Sequence, residues 1–149
     1  MASYSVPEGY PTISPYFVVR DGSAAMEFYI KAFGAVVHRI DRNGDGSLNT
    51  VELYVGTSMI MIGQSKKAPL PSEDSLPPIG MYMYVQDVDT VFEKAVAAGA
   101  TVQNPPTDQH YGDRRADIAD PFGFVWWIAS KIEQVSPDEV QKRAQDEGR

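Results

Sequence analysis

The sequence contains no cysteine and only two histidines among its 149 residues. A chain without cysteine has no disulfide framework, no thiolate nucleophile and no zinc site with thiolate ligands. No apolar run is long enough to cross a bilayer, so we expect no membrane partner. Acidic residues outnumber basic ones by 20 to 13, and the net charge of -7 argues against nucleic acid as a partner, because binding to it needs clustered lysine and arginine.

The rest of the composition is that of one ordinary globular domain. Hydrophobic residues make up 43% of the chain and charged residues 22%. The N-terminus has no basic region followed by an apolar one, so we expect no signal peptide and a cytoplasmic protein.

An internal repeat divides the chain into two halves. Val85 and Asp87 follow Val19 and Asp21 by the same interval of 66 residues. Alternation, capping residues and glycine turns predict the order strand, helix, strand, strand, strand in each half. The predicted strands cover residues 12–20, 35–41, 48–55, 58–63, 81–86, 101–102, 114–119 and 124–130, and the helices residues 22–33 and 88–98.

The segment DRNGDGSLNTVE, residues 41–52, has an oxygen-bearing side chain at every ligand position of a calcium loop. Such a site needs a helix on each side, whereas both flanking segments alternate like strands. Asn43-Gly44 and Asp45-Gly46 are typical of hairpin turns, because glycine accepts positive φ. We therefore predict a β-hairpin whose tip binds calcium weakly or not at all.

Four segments carry a family resemblance: PYFVVRDGSAAMEFYIKAFGA, VELYVGTSMIMIG, MYMYVQDVDTVFEKAVAAGATV and YGDRRADIADPFGFVWWIAS. They resemble the vicinal oxygen chelate superfamily, the group of glyoxalase I, bleomycin-resistance proteins and extradiol dioxygenases, and in particular its PhnB-like branch. The resemblance implies an α+β fold in which two βαβββ modules form an open cleft of the glyoxalase/bleomycin-resistance type. It also implies a homodimer.

The resemblance and the repeat together give the expected domain plan. The first module covers about residues 12–63, a linker 64–79 and the second module about 80–130, all within one domain of residues 1–149. A short C-terminal helix is predicted at about residues 136–147. Ser136 is a good N-cap, Pro137 suits the first helical position and Glu139 completes a capping box.

Enzymes of this superfamily take their metal ligands from the first and last strands of each module. The corresponding positions here are Ser14, Met61, Gly80 and Trp127. Zinc, iron, nickel and manganese are bound by imidazole, thiolate or carboxylate groups. A hydroxyl, a thioether, a bare glycine and an indole do not suit them, so we expect no metal and no cofactor.

Strand alternation then assigns the side chains that would line the cleft. The opposite faces carry large apolar residues such as Phe17, Ile62 and Trp126, as expected beneath helices. The predicted ligand-binding set is Ser14, Tyr16, Glu52, Tyr54, Met59, Met61, Tyr82, Tyr84, His110, Tyr111, Arg115 and Trp127. Most members also have a structural interpretation: tyrosine and methionine as core residues, Trp127 as filler of the former metal space, Glu52 as the ion-pair partner of Arg115, and His110 as a solvated loop residue.

Three functions remain open. The first is metal-independent binding of a flat or cationic organic molecule between aromatic side chains, with Glu52 supplying charge, as bleomycin-resistance proteins sequester their drug. The second is a metal-free enzyme in which Glu52 acts as acid or base in isomerisation, cyclisation or lyase chemistry, because a partly apolar cleft raises the pKa of a carboxyl. The third is a metalloenzyme with Glu52, His38 and His110 as unusual ligands.

Overall fold

The computed structural model describes residues 5–72 and 76–149. The chain consists of two compact units, Met1–Leu70 and Pro71–Arg149. Each unit contains a four-stranded mixed sheet and follows the order strand, helix, strand, strand, strand, which confirms the predicted α+β fold with two βαβββ modules. Among the described residues, no helix has the length and apolar character needed to cross a membrane.

The first unit is built from one helix and four strands. These are β1 (Tyr16–Val19), α1 (Gly22–Phe33), β2 (Val36–Arg42), β3 (Leu48–Val55) and β4 (Ser58–Gln64). The strand order across the sheet is β1-β4-β3-β2, in which β1 is parallel to β4 and the other neighbours are antiparallel.

The second unit repeats this arrangement and adds a C-terminal helix. Its elements are β5 (Met81–Tyr84), α2 (Val88–Ala97), β6 (Thr101–Asp108), β7 (Asp113–Ala119), β8 (Val125–Lys131) and α3 (Pro137–Asp146). The strand order is β5-β8-β7-β6, again with one parallel pair, β5 and β8. Helix α3 confirms the predicted C-terminal helix, and the Ser136 hydroxyl accepts the Glu139 amide at 3.1 Å as its N-cap.

Both module helices start where the capping residues predict, and α1 also stops where predicted. The Asp21 carboxylate accepts the Ala24 amide at 3.0 Å at the start of α1, and Asp87 caps α2 through the Thr90 amide. Helix α1 ends at Gly34, whose φ of 68° lies in the left-handed region that glycine adopts without strain.

The core of each unit lies between one face of the sheet and the helix. In β1 the buried residues Phe17 and Val19 alternate with the exposed Tyr16 and Val18. In β3 the fully buried residues are Val51 and Leu53, and in β8 they include Ile128, in agreement with the predicted faces.

Two strands differ from their predictions by more than two residues at one end. Strand β1 begins at Tyr16 rather than at residue 12, so Ser14 precedes it; Pro15 has no amide to donate to a ladder, although its carbonyl accepts the Met61 amide at 2.8 Å. Strand β6 extends to Asp108, where only residues 101–102 are predicted. Its prolines, Pro105 and Pro106, are tolerated because β6 is an edge strand whose pairing with β7 is irregular at this point.

The calcium-like segment forms the predicted hairpin between β2 and β3. The Gly46 amide donates to the Asn43 carbonyl at 2.9 Å, and Gly46 has a φ of 86°. Glu52, which would be the last calcium ligand, lies within β3 opposite Met61.

Candidate functional site

The second unit presents an exposed sheet face that combines tyrosines, charges and one tryptophan. Register places Tyr82 beside Trp127 and Trp127 beside Asp117, while Tyr84 and Arg115 flank Ala129. Tyr82 and Tyr84 are 43% and 61% exposed, so both residues are accessible from solvent. We call this surface the tyrosine face; it consists of Tyr82, Tyr84, Tyr111, Asp113, Arg115, Asp117 and Trp127.

Asp113 is the anchor of the tyrosine face. Its side chain is buried, and its Oδ2 accepts the hydroxyls of Tyr82 at 2.7 Å and Tyr84 at 2.8 Å. The ammonium group of Lys131 lies 3.4 Å from Oδ1, an oxygen with no hydrogen-bond partner in the described part of the chain. Burial alone would raise the pKa of the Asp113 carboxyl, but the two hydroxyls and Lys131 outweigh it and hold that pKa below its ordinary value.

A chain of hydrogen bonds joins Asp113 to Arg115. Arg115 Nη1 donates to the Tyr111 hydroxyl at 2.9 Å, and the hydroxyls of Tyr111 and Tyr82 are 3.2 Å apart. Burial and hydrogen bonds to Tyr111 and Asp113 raise the pKa of the Tyr82 hydroxyl well above its ordinary value. The Tyr82 hydroxyl therefore keeps its proton throughout the physiological range.

Asp117 completes the polar part of the face. This carboxylate is 5% exposed and accepts Arg115 Nε at 2.9 Å and the Asn104 amide at 2.9 Å. Arg115 is thus paired within its own sheet, and Glu52, the partner considered from the sequence, accepts the Tyr10 hydroxyl instead. A buried charge needs such partners, because an unpaired one would carry a large desolvation penalty.

Trp127 and Gly80 occupy one place between them. A Cβ on Gly80 would collide with the six-membered ring of Trp127, so the missing side chain makes room for the indole. Trp127 is half-buried, whereas its neighbour Trp126 is buried and donates its indole N–H to Asp120 at 2.9 Å. The two tryptophans therefore face opposite sides of the sheet, as the alternation predicts.

Glu52 and Tyr54 of the first unit belong to a separate group of contacts with His38 and Tyr10. The Glu52 carboxylate accepts the Tyr10 hydroxyl at 2.5 Å, and the His38 ring lies between the rings of Tyr10 and Tyr54, with centroids 5.4 and 4.9 Å away. The Tyr54 hydroxyl donates to the Gly9 carbonyl at 2.8 Å. These contacts hold the segment before β1 against the sheet and engage one carboxylate oxygen of Glu52, Oε2.

Four other predicted positions of this unit differ in accessibility. Tyr16 is 53% exposed and its ring covers Gly63, whereas Met59 is only 1% exposed. Met61 and Ser14 are half-buried. A ligand on this sheet face could contact Tyr16 directly but not Met59.

His110 lies in the turn between β6 and β7 and contacts the region of α3. Its Nδ1 is 3.7 Å from a Glu147 carboxylate oxygen, and its carbonyl accepts Arg143 Nη1 at 3.2 Å. Its ring packs edge-on against Tyr111, which belongs to the tyrosine face. The structure therefore gives His110 a position that supports Tyr111.

The donor set at the mapped metal positions does not fit a divalent metal. Serine and methionine supply weak ligands, Gly80 supplies none, and the Trp127 ring fills the space beside Gly80. Within residues 5–72 and 76–149, no three histidine or acidic side chains come together as a metal cluster, including the set of Glu52, His38 and His110.

Sequence reasoning missed three residues that organise these sites. Asp113 and Lys131 each lie one residue beyond a predicted strand, although both have the parity of the tyrosine face. Extending the alternation by one residue would have found them. Tyr10 gave no signal, because it belongs to no periodic segment.

Fold and sequence comparison together define the class of protein. A family model described as the glyoxalase/bleomycin resistance protein/dioxygenase superfamily matches residues 12–128. The chain belongs to this superfamily. A relative of nearly the same length, the uncharacterized protein Mb0911c of Mycobacterium bovis, is 34% identical over 144 residues, which cover 93% of this chain and 95% of the relative.

Two solved structures share the fold at lower identity. TioX from Micromonospora sp. ML1 has a TM-score of 0.65 at 20% identity, over 82% of this chain and 99% of TioX. The PhnB protein from Bacillus cereus has a TM-score of 0.64 at 18% identity, over 80% of this chain and 99% of that chain. The second match agrees with the predicted likeness to the PhnB-like branch, and both establish the fold alone.

Proposed function

We propose that this protein binds a flat organic molecule, aromatic or cationic, without a metal ion, and that the tyrosine face is the surface that receives it. The observation that carries the proposal is the pair of exposed rings, Tyr82 and Tyr84, whose hydroxyls are both fixed on the buried Asp113. Exposed aromatic rings held in one geometry lose little entropy on binding, so they are suited to stacking.

Electrostatics supports the same ligand class. The rings of Tyr82 and Tyr84 lie 5.4 Å apart, and each hydroxyl donates to a carboxylate, which leaves the ring faces electron-rich. An electron-rich ring face attracts cations and stacks on planar groups. The net charge of -7 also favours the approach of a basic molecule.

Metal independence is the second part of the proposal. The mapped positions Ser14, Met61, Gly80 and Trp127 offer no ligand set for zinc, iron, nickel or manganese. Elemental analysis of the purified protein should therefore find no stoichiometric transition metal. About one metal ion per chain that is lost when Glu52 or a histidine is replaced would contradict this part.

The enzymatic alternative has less support from the geometry. It needs a Glu52 oxygen that reaches the substrate, and one of the two oxygens, Oε2, is hydrogen-bonded to Tyr10. A general acid or base must come within hydrogen-bond reach of the proton it moves.

We also expect a homodimer from the family likeness, which sedimentation equilibrium can test.

Binding can be tested with proflavine, a planar aromatic cation. We expect saturable binding by calorimetry and quenching of tryptophan fluorescence that depends on Trp127, because this indole lies beside Tyr82 in the sheet. Trp127→Phe should lose most of the quenching, and Trp126→Phe, the matched control, should keep it. Absence of saturable binding, or quenching that disappears only in Trp126→Phe, would refute the assignment to this face.

A further inference from the structure

The tyrosine hydroxyls of the tyrosine face donate their hydrogen bonds in one fixed direction, towards Asp113. We propose that this direction makes the face select ligands that present a hydrogen-bond donor, such as an amine or ammonium group on a flat ring, to the hydroxyl oxygen of Tyr84. The inference rests on the proposed function and specifies its ligand. It concerns the polarity of the hydrogen bonds rather than the total charge.

Asp113 fixes which groups of the network donate their hydrogen atoms. An ionised carboxylate can only accept hydrogen bonds, so both bonds to its Oδ2, at 2.7 and 2.8 Å, must be donated by the hydroxyls of Tyr82 and Tyr84. Each hydroxyl has a single hydrogen atom. Neither tyrosine can therefore donate to a ligand while the bond to Asp113 is intact.

The Tyr111 hydroxyl donates its hydrogen bond in the same direction. Because the Tyr82 hydrogen points to Asp113, the 3.2 Å contact between Tyr82 and Tyr111 must be donated by Tyr111. The Tyr111 oxygen in turn accepts Arg115 Nη1 at 2.9 Å. The bonds therefore run from the guanidinium through Tyr111 and Tyr82 to the carboxylate, and bonds aligned in this way strengthen one another.

Tyr84 is the exposed end of this network. Its hydrogen is committed to Asp113, no hydrogen bond from another described residue reaches its oxygen, and Tyr84 is 61% exposed. A hydroxyl oxygen that donates its hydrogen retains lone pairs that accept. Tyr84 therefore offers a ligand an acceptor and nothing to donate.

The charges of the face do not favour an anionic ligand in compensation. Arg115 donates to Tyr111 and to Asp117, and the Lys131 ammonium lies 3.4 Å from Asp113 and donates to the Tyr111 carbonyl at 3.2 Å. The two carboxylates and the two cations of the face are thus paired with one another. The exposed oxygen of Tyr84 therefore decides whether the face prefers a ligand that donates a hydrogen bond or one that accepts it.

Tryptamine and indole-3-propionate provide a matched pair for the test. Both carry an indole ring on a two-carbon chain, which ends in an ammonium donor in the first and a carboxylate acceptor in the second. Calorimetry on the full-length wild-type protein should find tryptamine bound about tenfold more tightly, since a hydrogen bond to a charged donor corresponds to roughly that factor.

Two single substitutions isolate the oxygen of Tyr84. In Tyr84→Phe the ring remains but the acceptor is gone, so tryptamine affinity should fall about tenfold and indole-3-propionate affinity by less than about twofold. Tyr10→Phe is the control, because it removes another hydroxyl that donates to a carboxylate, that of Glu52 in the first unit. It should leave the preference unchanged.

The outcomes separate this inference from the proposed function. Equal or tighter binding of indole-3-propionate, or an unchanged preference in Tyr84→Phe, would overturn the inference while ring binding itself stands. Proflavine binding without tryptamine binding would overturn it as well. If neither indole compound nor proflavine binds, the proposed function fails and the inference fails with it.

Discussion

The two sheets each place an acidic residue at the same register position. Glu52 lies opposite Met61 in the first sheet, and Asp117 lies opposite Trp127 in the second. The two carboxylates hold equivalent places, but Glu52 is bonded to Tyr10, which lies outside the sheet, whereas Asp117 is bonded to Arg115 and Asn104 within it. The two units thus share the same strand register, but the acidic residue of each unit has different hydrogen-bond partners. In the second unit the hydroxyls of Tyr82 and Tyr84 are both fixed by Asp113, a residue of the same sheet.

The equivalent tyrosines differ in the same way. Tyr16 in β1 and Tyr82 in β5 are 66 residues apart, yet the Tyr16 ring lies over Gly63 while the Tyr82 hydroxyl reaches Asp113. The residue 66 positions after Gly63 is Ala129, which carries the Cβ that Gly63 lacks. A ring lying over Ala129 as Tyr16 lies over Gly63 would collide with that methyl group, so the Cβ of Ala129 excludes Tyr82 from the position that Tyr16 takes.

The largest expected effect comes from removing the anchor of the second face. Asp113→Asn should lower the free energy of unfolding by about 2 to 3 kcal/mol, because it removes the charge-assisted bonds to Tyr82 and Tyr84 and the ion pair with Lys131. Glu52→Gln should change it by less than about 0.5 kcal/mol, because Glu52 is only half-buried. Urea denaturation of both variants measures the contrast, and equal losses would contradict the difference we draw between the units.

Acid should remove the contribution of Asp113 to the free energy of unfolding. Since the folded-state pKa of this carboxyl lies below its unfolded value of about 3.9, its contribution is present above that value and is lost as the pH falls through the folded pKa. The difference in unfolding free energy between wild type and Asp113→Asn should therefore narrow below about pH 4. Urea titrations at a series of pH values measure this difference, in which the contributions of the other carboxyls cancel. A gap that widens on acidification would show that the carboxyl is protonated in the native state.

Alternation predicts most of the fold because each strand has one buried face. It places Tyr82, Tyr84 and Trp127 together from their spacing alone, and the equal offsets of the repeat support the same phase. It stops short at Asp113, because the predicted strand begins at Arg114. Loop segments obey no period, so the contact of Tyr10 with Glu52 depends on a chain path that no residue pattern indicates.

A smaller effect should follow from making the two faces alike. Gly63→Ala adds the methyl group that Ala129 has, and that Cβ would collide with the Tyr16 ring. Because an exposed ring can rotate away, we expect a loss of only about 1 kcal/mol in unfolding free energy. The double variant Gly63→Ala, Tyr16→Ala should lose less than the sum of the two single variants. Strict additivity would show that the ring and Gly63 do not interact.

The smallest expected effect concerns calcium at the hairpin of the first unit. Asp45 accepts both the amide and the hydroxyl of Ser47, at 2.9 and 2.6 Å, and the Asn49 amide group donates to Asp41. The side chains that a calcium loop would turn inward therefore bond to one another, and Glu52 is held in the sheet away from the turn. Calorimetry should detect no calcium binding tighter than millimolar, the range of weak sites, and a micromolar affinity would contradict the hairpin interpretation. Asp41→Ala is the matched variant: it should alter any residual calcium signal only slightly, whereas in a true calcium loop it would remove the carboxylate of the first ligand position and weaken binding strongly.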